Sequence, residues 1–80
     1  MNDDNIYIIE WLDHIAIASW LDTELMKKQK PALIRTIGFL VEENNEYIKL
    51  VDTITEDGDM GGLSLIIKSC IINIWHLKVK

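Results

Sequence analysis

Between Ala32 and Leu77 the chain consists mostly of β-type runs, and the last two of these runs are parted by only three residues. The stretch GGLSLIIKSCIINIWHL, residues 61–77, sets Lys68, Ser69 and Cys70 between Ile67 and Ile71. That gap is too short for an ordinary helix. It fits one 3₁₀ turn that redirects the chain from one strand into the next. Lys68 and Ser69 are expected outside the turn, with Cys70 facing in as a small hydrophobe. Such a corner lets a single sheet curl, and closure into a barrel removes the sheet's edges.

The preceding segments supply the other elements. Residues 6–12, IYIIEWL, are β-branched and aromatic and read as a strand, which HIAIA (14–18) either prolongs or bends away from. Ser19 with Asp22 three residues later resembles a capping box. Helix formers follow from Glu24 to Lys28, acids early and lysines late, as the helix dipole favours, and Pro31 ends the segment. One short helix is predicted, with Trp20, Leu25 and Met26 as its apolar side.

ALIRTIGFLVEE, residues 32–43, is a long strand whose Gly38 marks a bulge or tight bend. NNE turns the chain into EYIKLVDTI, where Ile48, Leu50 and Ile54 share one face and Lys49, Val51 and Thr53 the other. A register slip of one residue would expose that apolar set. TEDGDMGG, with three acids and three glycines, is a loop. Beyond it Leu63, Leu65 and Ile67, then Ile72 and Ile74, are expected to alternate inward. The order of elements fits a mainly β fold: a five-stranded Sm-like small barrel with one short helix between its first two strands, in a single domain spanning 1–80.

So small a core supplies only about 3–5 kcal/mol without a staple. Cys70 is the only cysteine, which excludes an internal disulfide, and with His14 and His76 it lacks metal-ligand spacing. Neither metal nor cofactor is expected. Self-association is the remaining staple, and a hydrophobic fraction of 49% favours it. Thirteen acids against eight bases give a net charge of −5, which argues against a nucleic-acid partner. The one basic cluster, Lys27, Lys28, Lys30 and Arg35, reads as a solvated helix end. No apolar run reaches the roughly 18 residues of a membrane span, and the acidic start MNDD is unlike a signal peptide. The chain is expected to be soluble and intracellular.

Several motifs together resemble a group of small, mostly uncharacterised bacteriophage proteins. These are Trp11-Leu12-Asp13, Trp20 before an acidic helix, Gly38 through Glu42, Tyr47 through Leu50, and Ile66 through Ile71. The resemblance covers nearly the whole chain and implies a phage-type protein in the cytoplasm of a bacterial host. It carries over no catalytic residues.

No enzyme is expected, because no nucleophile–base pair or paired carboxylate stands out. Cys70 and His76 could meet across the corner, but Cys70 lies in apolar sequence, the setting of an inert thiol. Glu42 and Glu43 read as solvated charge, and the acidic loop lacks EF-hand spacing. The candidate ligand contacts are Lys68 and Ser69 at the corner, Arg35 within a β-run, and the aromatic faces of Trp20 and Tyr47, with Trp75 a further stacking surface. The function expected is a non-enzymatic, homo-oligomeric anti-defence inhibitor that sequesters a small nucleotide signal, with its pocket between subunits. The alternative is an acidic protein–protein inhibitor or adaptor acting on a host defence or regulatory protein without a small ligand. An Sm-like RNA-binding ring follows from fold analogy alone and is disfavoured by charge.

Overall fold

The computed structural model describes residues 5–13, 20 and 22–78. Its elements are β1 (Ile6–Asp13), α1 (Thr23–Lys28), β2 (Ala32–Glu43), β3 (Tyr47–Ile54), β4 (Met60–Ile67), a 3₁₀ turn at Lys68–Cys70, and β5 (Ile71–Leu77). The five strands form one sheet in the order β4-β3-β2-β1-β5, and every neighbouring pair is antiparallel. The sheet is open: β4 and β5 are its two ends, where a closed barrel would join them. Among the described residues no helix is long and apolar enough to cross a membrane.

The turns are held by short polar side chains. Asn44 Oδ1 accepts from the backbone N–H groups of Glu46 and Tyr47, at 2.8 and 3.0 Å, and so closes the β2–β3 connection. Thr55 Oγ1 accepts from Asp59 N in the β3–β4 loop, where Gly58 takes a positive φ of 90°. The corner is a 3₁₀ turn as expected, and Lys68 N donates to Glu46 O at 2.8 Å, which ties it to the β2–β3 turn.

Ile9, Ile48, Leu50 and Ile66 form the buried cluster, with Tyr7, Trp11, Leu40 and Ile71 packed against it. Gly38 lets β2 and β3 approach: a Cβ there would meet Val51 O at 2.7 Å. The β2–β3 register shifts just beyond, between Leu40 and Glu42. The irregularity the sequence suggests at Gly38 thus falls beyond it, and Gly38 itself is a point of close strand approach.

Four expectations need correction. Leu63, Leu65 and Ile67 do not face the core; Ile66 does, because it pairs with Ile48 while Leu63, Leu65 and Ile67 pair with Val51, Lys49 and Tyr47. Pairing to β3, and not the strand's own alternation, decides which side is inside. Ile72 and Ile74 are likewise exposed, since β5 is an edge strand. Val51 is buried although it lies on the face opposite Ile48 and Leu50, so both faces of β3 are covered there. Cys70 is exposed at the corner.

The helix also differs from its expected form. Ser19 lies outside the described residues, as do His14 and the HIAIA stretch, and the N-cap is Asp22, which accepts from Leu25 N at 2.8 Å. Trp20, Leu25 and Met26 are exposed instead of forming a buried side, and α1 contributes nothing to the core. Six residues are too few for a stable helix in isolation, so the caps and the Glu24–Lys28 charge order support it locally.

Candidate functional site

The register sets three polar side chains in one row across the sheet. Glu10 on β1 stands between Arg35 on β2 and Asn73 on β5. Each is the one charged or amide side chain within an apolar run: IYIIEWL, ALIRTIG and IINIW. Glu10 is buried, and its carboxylate is satisfied on both oxygens. Oε2 accepts from Arg35 Nε at 2.8 Å, and Oε1 accepts from Asn73 Nδ2 at 2.9 Å. The Asn73 bond first, then the Arg35 bond and charge, hold the Glu10 carboxyl below its ordinary pKa, against the opposing effect of burial.

Arg35 is fixed at one nitrogen and free elsewhere. Its side chain remains 68% exposed, so the terminal guanidinium nitrogens stay open to solvent. Beside it lies a shallow hollow of about 480 Å³ lined by Ile8, Arg35, Trp75 and Leu77. Ile8 pairs with Trp75 directly, which places the indole one strand away from the β1 floor. An oriented guanidinium beside an exposed indole and an aliphatic floor can hold an anionic group attached to a flat ring.

The remaining sequence candidates fall elsewhere. Tyr47 pairs with Ile67, so it lies close to Lys68 and Ser69 at the corner. There the cations are already engaged. Lys68 Nζ is 2.8 Å from Glu43 Oε2, and Lys49 Nζ is 3.0 Å from Glu42 Oε1 and 5.2 Å from the centre of the Tyr47 ring. The Glu42 bond, then its charge, raises the Lys49 pKa, while Lys49 lowers that of Glu42. Glu42 and Glu43 are thus ion-paired, beyond being solvated. Ser69 is exposed, and Trp20 is 99% exposed. His76 stacks on Tyr7 across β1 and β5, with ring centroids 4.6 Å apart.

Of the five candidates, then, Lys68, Ser69 and Tyr47 share one end of the sheet and Arg35 stands alone at its middle. Glu10 and Asn73 were missed. The available signal was that each interrupts an apolar strand, and that three such interruptions need one another. A second hollow, of about 560 Å³, lies at the β3–β4 loop and is lined by Phe39, Leu40, Ile54, Met60 and Glu56 among others. Among the described residues no group of three or more His, Cys, Asp or Glu side chains is gathered as a metal would require. No family model, curated protein or solved structure matches the chain.

Proposed function

We propose that this chain is a non-enzymatic, phage-type binding protein with an Sm-like small-barrel pattern, acting in the bacterial cytoplasm as an oligomeric anti-defence inhibitor that sequesters a small nucleotide signal. The observation that carries this reading is Arg35, held through Nε by the buried Glu10 and presented beside Trp75. A buried carboxylate is costly unless it is bonded and paired. Here that cost is offset by bonds that also orient a cation towards solvent. The terminal nitrogens suit a phosphate, which guanidinium groups bind in two-pronged fashion, and the indole suits a base. The hollow is shallow, so a second subunit would be needed to enclose a ligand.

Native mass spectrometry with cyclic dinucleotides, ADP-ribose derivatives and short RNA tests the reading. A retained small nucleotide is the expected result. Arg35→Ala should weaken its binding about 10- to 100-fold, the scale of one charge-assisted contact, with the oligomeric state unchanged. Lys68→Ala should matter less, because Lys68 is already committed to Glu43. Failure to retain any of these ligands refutes the trap.

The acidic-adaptor reading has one observation in its favour. Asp52, Glu56, Asp57 and Asp59 cluster around the β3–β4 loop without an ion pair among the described residues, whereas Glu42 and Glu43 are neutralised by lysines. Charge reversal at Asp57 should then weaken capture of a basic protein partner, and the same change at Glu43 should do less.

A further inference from the structure

Among the described residues nothing pairs with the outer edge of β4. Edge strands of monomeric proteins are commonly shortened, bulged or charged, because their free N–H and C=O groups template further pairing. β4 carries no such charge: MGGLSLII has neither a charged residue nor a proline. Leu63, Leu65 and Ile67 are 61%, 47% and 47% exposed.

We propose that β4 pairs antiparallel with the β4 of a second copy, across a two-fold axis at Leu65, joining the two sheets into one. The proposal rests on the self-association in the functional reading above; its seam lies at the sheet edge opposite the Arg35–Trp75 hollow, so it joins the two copies without covering that hollow. The register follows from the backbone. Gly62, at a φ of 69°, leaves the extended conformation at one end, and the 3₁₀ turn beginning at Lys68 leaves it at the other. The stretch able to pair is therefore residues 63–67, with Leu65 at its middle. A symmetric antiparallel pair sets Leu65 against the partner's Leu65, and Leu63 against the partner's Ile67. All these side chains lie on the face opposite the core residue Ile66, and together they close into one apolar patch.

Charge selects this edge over the other. Pairing β4 with β4 brings Lys68 of each copy, whose ammonium has donors left beyond the one on Glu43, towards the Glu56, Asp57 and Asp59 end of its partner. β5 is flanked by Lys68 and Lys78, so β5 against β5 sets lysine beside lysine in the antiparallel arrangement. β4 against β5 brings lysines together at one end in either direction. Like charges so placed oppose association, and opposite charges favour it.

The test uses Leu65→Lys and Leu65→Glu in the full-length chain, with mass read by light scattering and fold by circular dichroism. Wild type is expected at twice the chain mass of 9.3 kDa. Each variant alone places two like charges on the axis and should run at the chain mass with an unchanged β spectrum. An equimolar mixture should return to the double mass, because lysine meets glutamate only if the axis passes through this position. Leu65→Cys in a Cys70→Ser background gives an independent readout. The two Cα atoms on the axis would stand about 4.5–5.5 Å apart, within disulfide reach, so oxidation should yield a covalent dimer. A monomeric wild type overturns self-association altogether. Variants that keep the wild-type mass, a mixture that stays monomeric, or the absence of a crosslink overturns the β4 axis and leaves self-association standing.

Discussion

Gly38→Ala tests the close approach of β2 and β3. An alanine Cβ at this position falls 2.7 Å from Val51 O and 3.1 Å from Leu50 Cβ. The closer neighbour is backbone, so relief requires β2 and β3 to separate, and that pair includes Phe39 with Val51 and Leu40 with Leu50. Overpacking of this kind costs about 1–3 kcal/mol. Replacing glycine returns about 0.5–1 kcal/mol, because the unfolded chain has less freedom to lose. The net loss is about 0.5–2 kcal/mol, from a core that supplies about 3–5 kcal/mol. With a urea dependence near 1 kcal/mol per molar, the unfolding midpoint should fall by about 0.5–2 M. Far-UV circular dichroism measures it, at one fixed protomer concentration, since the proposed association would add a concentration-dependent stability. Gly61→Ala is the matched control: its Cβ meets nothing within 4 Å and its φ is not positive. Its midpoint should be unchanged or slightly higher. A Gly38→Ala midpoint at or above that of wild type refutes the close approach of β2 and β3.

Leu50→Ala removes a side chain that is 1% exposed, and the expected loss of about 2–5 kcal/mol matches the whole stability of so small a core, so its spectrum should be largely unfolded at low concentration. Glu10 and Glu42 have lowered pKa values in the folded chain, so their contributions are complete above the ordinary glutamate value of about 4.3 and are lost as pH falls through the folded values. The urea midpoint should hold from pH 7 to about pH 5 and then drop, and a midpoint that rises on acidification counts against both pairs. The raised pKa of Lys49 acts at the opposite extreme: its contribution is complete below the ordinary lysine value of about 10.4 and is lost as pH rises through the folded value. Glu10→Gln keeps the shape and removes the charge. It should shrink the acid step and weaken nucleotide binding about fivefold, an effect calorimetry resolves.

The sequence was most legible where local chemistry acts alone. The 3₁₀ corner needed only the short gap at Lys68–Cys70, and the β2–β3 turn needed only Asn44 and its neighbours. Gly38 was readable as a special position because a strand interior seldom tolerates glycine without a reason, here the close approach of β3, while the register shift itself lies beyond it. The Glu10–Arg35–Asn73 row was harder, since its members lie 25 and 63 positions apart. Arg35 drew notice by its charge alone. Its orientation depends on a pairing register that no single strand encodes, and Trp75 joins the hollow through that same register.

The misassigned faces of β4 and β5 have one physical origin. Alternation separates the two sides of a strand but does not say which side is dry. In a strand with a covered face, the more apolar side is taken to be the inner one. β4 defeats that rule because Leu63, Leu65 and Ile67 outnumber the apolar residues on its core side, where Ile66 is accompanied by Ser64 and Gly62. A lone chain would gain by reversing the strand, yet pairing with β3 holds Ile66 against Ile48. An apolar outer face on an edge strand becomes consistent once something else covers it. On the proposed β4 pairing, the periodicity that fails to describe the monomer describes the dimer, and charge reversal across the Leu65 axis tests that directly.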